Sequence, residues 1–161
     1  MSVEEKVGAL LRSRGLTLVT AESCTGGLLG HRITNVPGSS DYYLGGIIAY
    51  SDGLKEMLLG VAPETLLAHG AVSKETALAM AHGARTRLGA GLAVSITGIA
   101  GPTGGTAAKP VGLVYVGLSA AGGQDWQRYV FDGHRLGNKE RSVDAALELV
   151  REHLQGKREN G

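Results

Sequence analysis

A short β-rich run, Leu16-Thr17-Leu18-Val19-Thr20, gives way to Ala21-Glu22-Ser23-Cys24-Thr25-Gly26-Gly27 and then to a stretch compatible with a helix, Leu28–Thr34. A strand that passes through a glycine turn into a helix is characteristic of α/β folds, in which helices cover a sheet. With Gly26 and Gly27 in the first helical turn, Ser23, Cys24 and Thr25 fall beside the unpaired N–H groups at the positive end of a helix. Anions and developing oxyanions are favoured there. Two candidate nucleophiles, Ser23 and Cys24, stand side by side at this turn.

The rest of the chain fits the same plan. An amphipathic helix is expected over Val3–Arg14, with Val7, Leu10 and Leu11 on one face, ended by Gly15. Residues 35–40 read as a loop and 42–50 as a second strand, which Gly45-Gly46 interrupts with a bulge or close contact. Ser51 or Asp52 caps a short helix reaching Leu59, and Pro63–His69 forms another. Ser73 caps a longer helix, Lys74–Leu88, whose Ala77, Met80, Ala81 and Ala84 make a small-residue face suited to close packing within the chain or between subunits. Strands are expected at 92–97, 111–118 and 125–131. Asn138 is expected to cap a last helix with Val143, Leu147, Val150 and Leu154 on one stripe, followed by a frayed tail over 155–161. Helices and strands alternate at first and strands then follow one another. The expected architecture is a three-layer α/β/α sandwich on a mixed, mostly parallel sheet, in one domain spanning residues 1–161.

Composition narrows the function. The 16 basic and 15 acidic residues leave a net charge of +1, which gives no electrostatic footprint for nucleic acid or a membrane surface and points to a small-molecule partner. A single cysteine excludes an internal disulfide and fits a reducing compartment. The acidic start Met1-Ser2-Val3-Glu4-Glu5 does not suit a signal peptide, and no stretch is apolar for long enough to span a bilayer, so a cytoplasmic location is expected. The 26 glycines are roughly twice the usual share of about 7%. Without a Gly-X-Y period they belong to turns and close backbone approaches.

Ser23, Cys24 and Thr25 are also good local capping residues, and their surroundings do not match Gly-x-Ser-x-Gly. A serine nucleophile needs a base, and Tyr50 and Lys55 are the nearby candidates; adjacent parallel strands would bring their C-terminal ends to one edge. Lysine serves as a base only when desolvation or a neighbouring positive charge lowers its pKa from about 10.4. The Tyr50 to Lys55 spacing and the absence of Gly-x-Gly-x-x-Gly disfavour hydride transfer on a Rossmann site. A second signal is the glycine-rich run Thr97-Gly98-Ile99-Ala100-Gly101-Pro102-Thr103-Gly104-Gly105-Thr106, followed by Lys109. Its backbone N–H groups, with Thr97, Thr106 and Lys109, suit an oxyanion or phosphate, although it is not a Walker A loop. Arg135 and Lys139, near the start of the last helix, are further phosphate partners. His31, His69, His82, His134 and His153 show no metal-ligand spacing, and no metal or other cofactor is expected.

Taken in order, Ala21-Glu22-Ser23-Cys24-Thr25-Gly26-Gly27, Pro37-Gly38-Ser39-Ser40, Gly45-Gly46 with Ala49-Tyr50-Ser51 and Lys55, Gly70-Ala71-Val72-Ser73, Thr97-Gly98-Ile99-Ala100-Gly101-Pro102 and Lys109-Pro110-Val111-Gly112 resemble the CinA C-terminal domain family from about Glu4 to Leu154. The resemblance is to its stand-alone form, the nicotinamide-nucleotide amidohydrolases, which convert nicotinamide mononucleotide to nicotinate mononucleotide and ammonia in the pyridine nucleotide cycle. It implies Ser23 as nucleophile, Lys55 as base and Tyr50 assisting. Thr97 and Arg135 would bind substrate, with Gly98 and Gly101 beside them, and residues Cys24, Thr25, Gly26 and Gly27 would supply backbone donors. It also implies a homodimer. The chain departs from the family pattern at His134, where aspartate is usual, at Lys139, where a second arginine is common, and at Asp52-Gly53. These departures motivate an alternative, a nucleotide-binding or regulatory module without turnover.

Overall fold

The structure, a computed structural model, describes residues 1–156. Helix α1 (Val3–Arg14) starts at a capping box in which the Ser2 hydroxyl accepts from the Glu5 amide while the Glu5 carboxylate accepts from the Ser2 amide. It ends at Gly15 in the left-handed conformation. Strand β1 (Leu18–Glu22) follows, then α2 (Leu28–Thr34), a 3₁₀ turn at Ser39–Asp41 and β2 (Tyr43–Ile48). Helices α3 (Asp52–Leu59), α4 (Pro63–His69) and α5 (Lys74–Leu88) come next, then β3 (Leu92–Gly98), the hairpin of β4 (Leu113–Ala120) and β5 (Gly123–Val130), and α6 (Arg135–Leu154).

The five strands form one sheet in the order β2-β1-β3-β4-β5. Pairings β1–β2 and β1–β3 are parallel, and β3–β4 and β4–β5 are antiparallel. The sheet is mixed, with its pairings evenly divided. Side-chain alternation along β1 sorts the helices into two layers. Leu18 joins Leu92, Val94, Ile96, Val114, Val116 and Leu118 in the core beneath α1, α2 and α6. Val19 and Ala21 point the other way, with Ala93, into the core beneath α3, α4 and α5. The architecture is an α/β/α three-layer sandwich. Because β1, β2 and β3 run parallel, their C-terminal ends share one edge, the usual place for a site in such sheets.

Helices α1 to α5 fall where sequence periodicity and capping put them, with Ser51 capping α3 and Ser73 capping α5 through their hydroxyls. The small-residue face of α5 packs inward: Ala77, Met80, Ala81 and Ala84 are fully buried. The differences lie at element ends. Strand β1 starts two residues later than its β-rich composition suggests and continues through Ala21 and Glu22, since those residues pair with Ile47, Ile48, Ser95 and Ile96. Gly26 and Gly27 precede α2, with Gly27 as its N-cap at φ +107°. Strand β4 waits for the turn closed by Leu113 N–H on Pro110 O, and β5 starts earlier because it pairs from Gly123 against Ala120. A register shift opposite Leu18 and Val19 places the expected irregularity at Leu44, beside the glycine pair. Helix α6 begins at Arg135 and is capped by His134 rather than by Asn138. Of the tail expected to fray, residues 157–161 lie outside the described residues. Among the described residues, no helix is long and apolar enough to cross a membrane.

Gly83 is where α5 meets α3. A Cβ at this position would lie 1.7 Å from the Leu59 carbonyl oxygen, which is backbone and has no rotamer to move aside. Gly83→Ala is therefore expected to push the two helices apart and to destabilise the protein by about 3 kcal/mol, lowering Tm by roughly 6–12 °C. Thermal unfolding followed by circular dichroism measures this, and an unchanged Tm would contradict the packing described.

Candidate active site

At the end of β1 the chain turns out of the sheet with both neighbours still attached. The Ala49 amide donates to the Glu22 carbonyl and the Ser23 amide to the Ile96 carbonyl, each at 2.9 Å. The Glu22 side chain, 2% exposed, then reaches under the turn. Its carboxylate accepts from the Thr25 hydroxyl at 2.6 Å and from the amides of Gly27, Leu29 and Gly30 at 3.2, 2.9 and 3.2 Å. The N-terminus of α2 is thus occupied by the protein's own anion. Of the amides of Cys24, Thr25, Gly26 and Gly27 expected as donors to substrate, two are taken up within the turn: Gly27 N–H is held by Glu22 and Gly26 N–H by the Ser23 carbonyl. The amides of Cys24 and Thr25 are bonded to no carbonyl or carboxylate of the described residues.

Ser23 and Cys24 line a cavity of about 320 Å³ at the shared C-terminal edge of β1, β2 and β3. Lys55, one turn into α3, enters it and is 1% exposed. Its Nζ donates to Ser23 Oγ at 2.9 Å and to the Tyr50 carbonyl at 3.1 Å. Burial lowers the Lys55 pKa from its ordinary 10.5, against the pull of Asp52 and Cys24 in the other direction. Desolvation, one of the two routes by which a lysine can serve as a base, operates here. The same burial pushes the Cys24 thiol up to about 12. At neutral pH Cys24 is a thiol, a poor nucleophile, and the hydroxyl beside it holds the hydrogen bond to the lysine.

The opposite wall comes from the glycine-rich loop after β3. Thr97, Gly98 and Gly101 line the cavity, joined by Ile99, Ala100, Thr103 and Gly104. The Thr97 hydroxyl donates to the Ala71 carbonyl at 2.8 Å, which ties β3 to the segment before α5. Arg135 crosses the mouth, with Nη1 donating to the Gly101 carbonyl at 2.8 Å and Nη2 to the Tyr50 hydroxyl at 3.3 Å. Tyr50 is 62% exposed, its ring at the rim. Asn138, expected to cap α6, is instead buried within its first turn. It donates to the carbonyls of Ala100 and Gly133 and accepts from the Gly133 amide, locking the loop that precedes Arg135 to the glycine-rich loop. His134 takes the capping role through Nδ1, which accepts from the Gly137 amide at 3.0 Å.

The cavity therefore gathers Ser23, Cys24, Tyr50, Lys55, Thr97, Gly98, Gly101 and Arg135 of the residues singled out from sequence. Thr25, Gly26 and Gly27 stand behind it, around Glu22. Thr106 and Lys109 turn away: Thr106 Oγ1 accepts from the Lys109 amide, and Lys109 Nζ donates to the His69 carbonyl. Sequence reasoning did not assign Glu22 or the Ala71-Val72 wall a place in the site, although both lie within the motifs that carried the family resemblance. A glutamate two residues before a glycine-bearing turn, and five before the N-cap of the next helix, was the available signal. Among the described residues no group of three or more His, Cys, Asp or Glu is placed to hold a metal ion.

The lowered pKa of Lys55 makes stability depend on pH in a defined direction. Between the folded pKa and 10.5 the unfolded chain holds a proton on Lys55 that the folded chain does not, so folding is favoured progressively as pH rises through that window. Relative to Lys55→Met, the parent is expected to gain stability over this range at up to about 1.4 kcal/mol per pH unit, and to level off on either side. Urea unfolding of both proteins at several pH values tests this; a difference independent of pH would show that Lys55 is not desolvated.

The family described as CinA C-terminal domain matches residues 1–154. The chain is 53% identical over 149 residues to a putative competence-damage inducible protein of Moorella thermoacetica, covering 92% of this chain and 36% of that protein. It is 52% identical over 158 residues to a CinA-like protein of Chloroherpeton thalassium, covering 96% and 38%. It thus spans little more than a third of the length of these relatives. Among solved structures, a competence/damage inducible protein of Agrobacterium tumefaciens has a TM-score of 0.86 at 41% identity, with 96% of this chain and 99% of that one covered. The competence damage-inducible protein A of Klebsiella pneumoniae has a TM-score of 0.93 at 33% identity, covering 97% of both chains. With the family matched over residues 1–154 and the fold matched over nearly all of its length, the chain belongs to the CinA C-terminal domain family.

Proposed function

We propose that this domain is a nicotinamide mononucleotide amidohydrolase that uses Ser23 as nucleophile and Lys55 as base. The observation that carries the reading is the 2.9 Å hydrogen bond between Ser23 Oγ and a lysine whose pKa burial lowers, both inside a cavity walled by a glycine-rich loop and crossed by an arginine. A neutral lysine beside a serine hydroxyl is a nucleophile with its base in place. Ser23 Oγ attacks the carboxamide carbon as its proton passes to Lys55 Nζ. The tetrahedral oxyanion forms beside the Cys24 amide, which is our assignment for a donor to it. Collapse breaks the C–N bond, and the proton on Lys55 leaves with the amine as ammonia. Water, deprotonated by Lys55, then attacks the ester, and nicotinate mononucleotide is released with Ser23 restored. Tyr50 and Arg135 act together at the mouth, where the guanidinium and the glycine-loop amides of Gly98 and Gly101 meet the phosphoribosyl part, with Thr97 holding the wall. The reading needs no metal or other cofactor and includes a homodimer, for which exposed Leu44, Ile48, Met57 and Leu67 offer apolar surface to cover.

The test is ammonia release from nicotinamide mononucleotide with a chelator present. The parent is expected to be active, with Ser23→Ala and Lys55→Met each losing at least about 10³-fold in kcat and Cys24→Ala keeping most of the parent rate. Since the neutral amine is the working form, the rate should rise with pH and flatten above a pKa below 10.5. Saturable binding of the mononucleotide by a folded parent without ammonia release would instead identify a nucleotide-binding module. Dependence on Cys24 rather than Ser23 would overturn the assignment of the nucleophile.

A further inference from the structure

We propose that Glu22 is a positioning residue for the nucleophile, acting through the turn it holds rather than on the substrate; this rests on Ser23 being the nucleophile. Glu22 is absent from the wall of the cavity that holds Ser23, yet its carboxylate is spent on the turn that follows and its carbonyl on the neighbouring strand's end. Its carbonyl accepts from Ala49, its carboxylate oxygen Oε1 from Thr25 Oγ1, Gly27 N and Leu29 N, and Oε2 from Gly30 N. Residues 23–27 are therefore clamped between β1 and the first turn of α2. Ser23 has its amide fixed on Ile96 and its carbonyl on Gly26, so its backbone is held on both sides while its hydroxyl accepts from Lys55.

A carboxylate buried at 2% exposure must have its lone pairs satisfied. Four donors from Thr25 and α2 do this, and they also neutralise the positive end of the helix. The α2 N-terminus is consequently closed to substrate anions, and the phosphate of a bound mononucleotide has to be met from the Arg135 side of the cavity. Thr25 gains a role by the same route: its hydroxyl is the shortest of the four contacts and the only one made by a side chain.

The experiment measures the rate at which a small alkyl fluorophosphonate labels Ser23, with fluoride leaving as the Ser Oγ–P bond forms and Lys55 takes the serine proton. This probe does not depend on the identity of the natural substrate. Glu22→Gln keeps the shape but replaces one accepting oxygen with a donor that faces an N–H group. Labelling and kcat should both fall by about 100-fold, the cost of a nucleophile displaced by about an ångström, while KM stays within about twofold. If Glu22→Gln does not fold, Thr25→Val removes the side-chain contact alone and should slow labelling, and Thr25→Ser should restore it. Folded Glu22→Gln or Thr25→Val protein that labels at the parent rate overturns the proposal, as does a parent that cannot be labelled at Ser23. A parent that labels at Ser23 but releases no ammonia would overturn the amidase reading, and slowed labelling in the variants would still support the role of Glu22.

Discussion

A single buried carboxylate shapes the working end of this domain. Glu22 lies buried where β1 stops, and it takes hydrogen-bond donors that the start of α2 leaves unpaired. Two costs are offset together: the orphan amides of a helix start and the burial of a charge. The result is a rigid connection between sheet and helix at the point where Ser23, the proposed nucleophile, sits. It also explains how a seven-residue helix with no side-chain cap of its own holds its first turn, since Gly27 at the N-cap has no side chain and the capping group arrives from the preceding strand.

Around that turn, low dielectric acts on two neighbours in opposite ways. Removing Lys55 from water favours its neutral amine, which can accept a proton; removing Cys24 from water favours its neutral thiol, which cannot attack. In the proposed mechanism, one environment therefore equips the serine with a base and leaves the sulfur beside it as a thiol. The departures from the family pattern near α6 look milder in this setting. His134 caps the helix through a ring nitrogen where aspartate would use a carboxylate, and Arg135 remains held by Gly101 and Tyr50. Asn138 accounts for much of the local order by joining the two loops that bear on Arg135.

Much of the fold could be read from short windows of sequence. Ser51 and Ser73 announced α3 and α5, Gly15 ended α1, and the apolar spacing of α6 identified its buried stripe at Val143, Leu147, Val150 and Leu154. Errors clustered at strand ends and at the start of α6, where the deciding partner is remote: Ala21 and Glu22 are strand because Ile47, Ile48, Ser95 and Ile96 lie beside them. In the site, Ser23 and Lys55 were recognisable as types. Glu22 was passed over because a glutamate in a turn is ordinarily solvated, and nothing within the window reveals that it will be buried.

Sequence alone determined the periodicities, the caps and the glycine turn, and with them a layered α/β chain whose nucleophile candidates stand at the end of its first strand, because these depend on contacts a few residues apart. Tertiary structure decided that Lys55, 32 residues from Ser23, would meet it at hydrogen-bond distance and stripped of water, and that the α2 N-terminus would be filled by Glu22. It also decided that Thr106 and Lys109 would turn away from the cavity their loop helps to build. Pairing across the sheet and exclusion of water are properties of the assembled layers, and proton affinity follows the water.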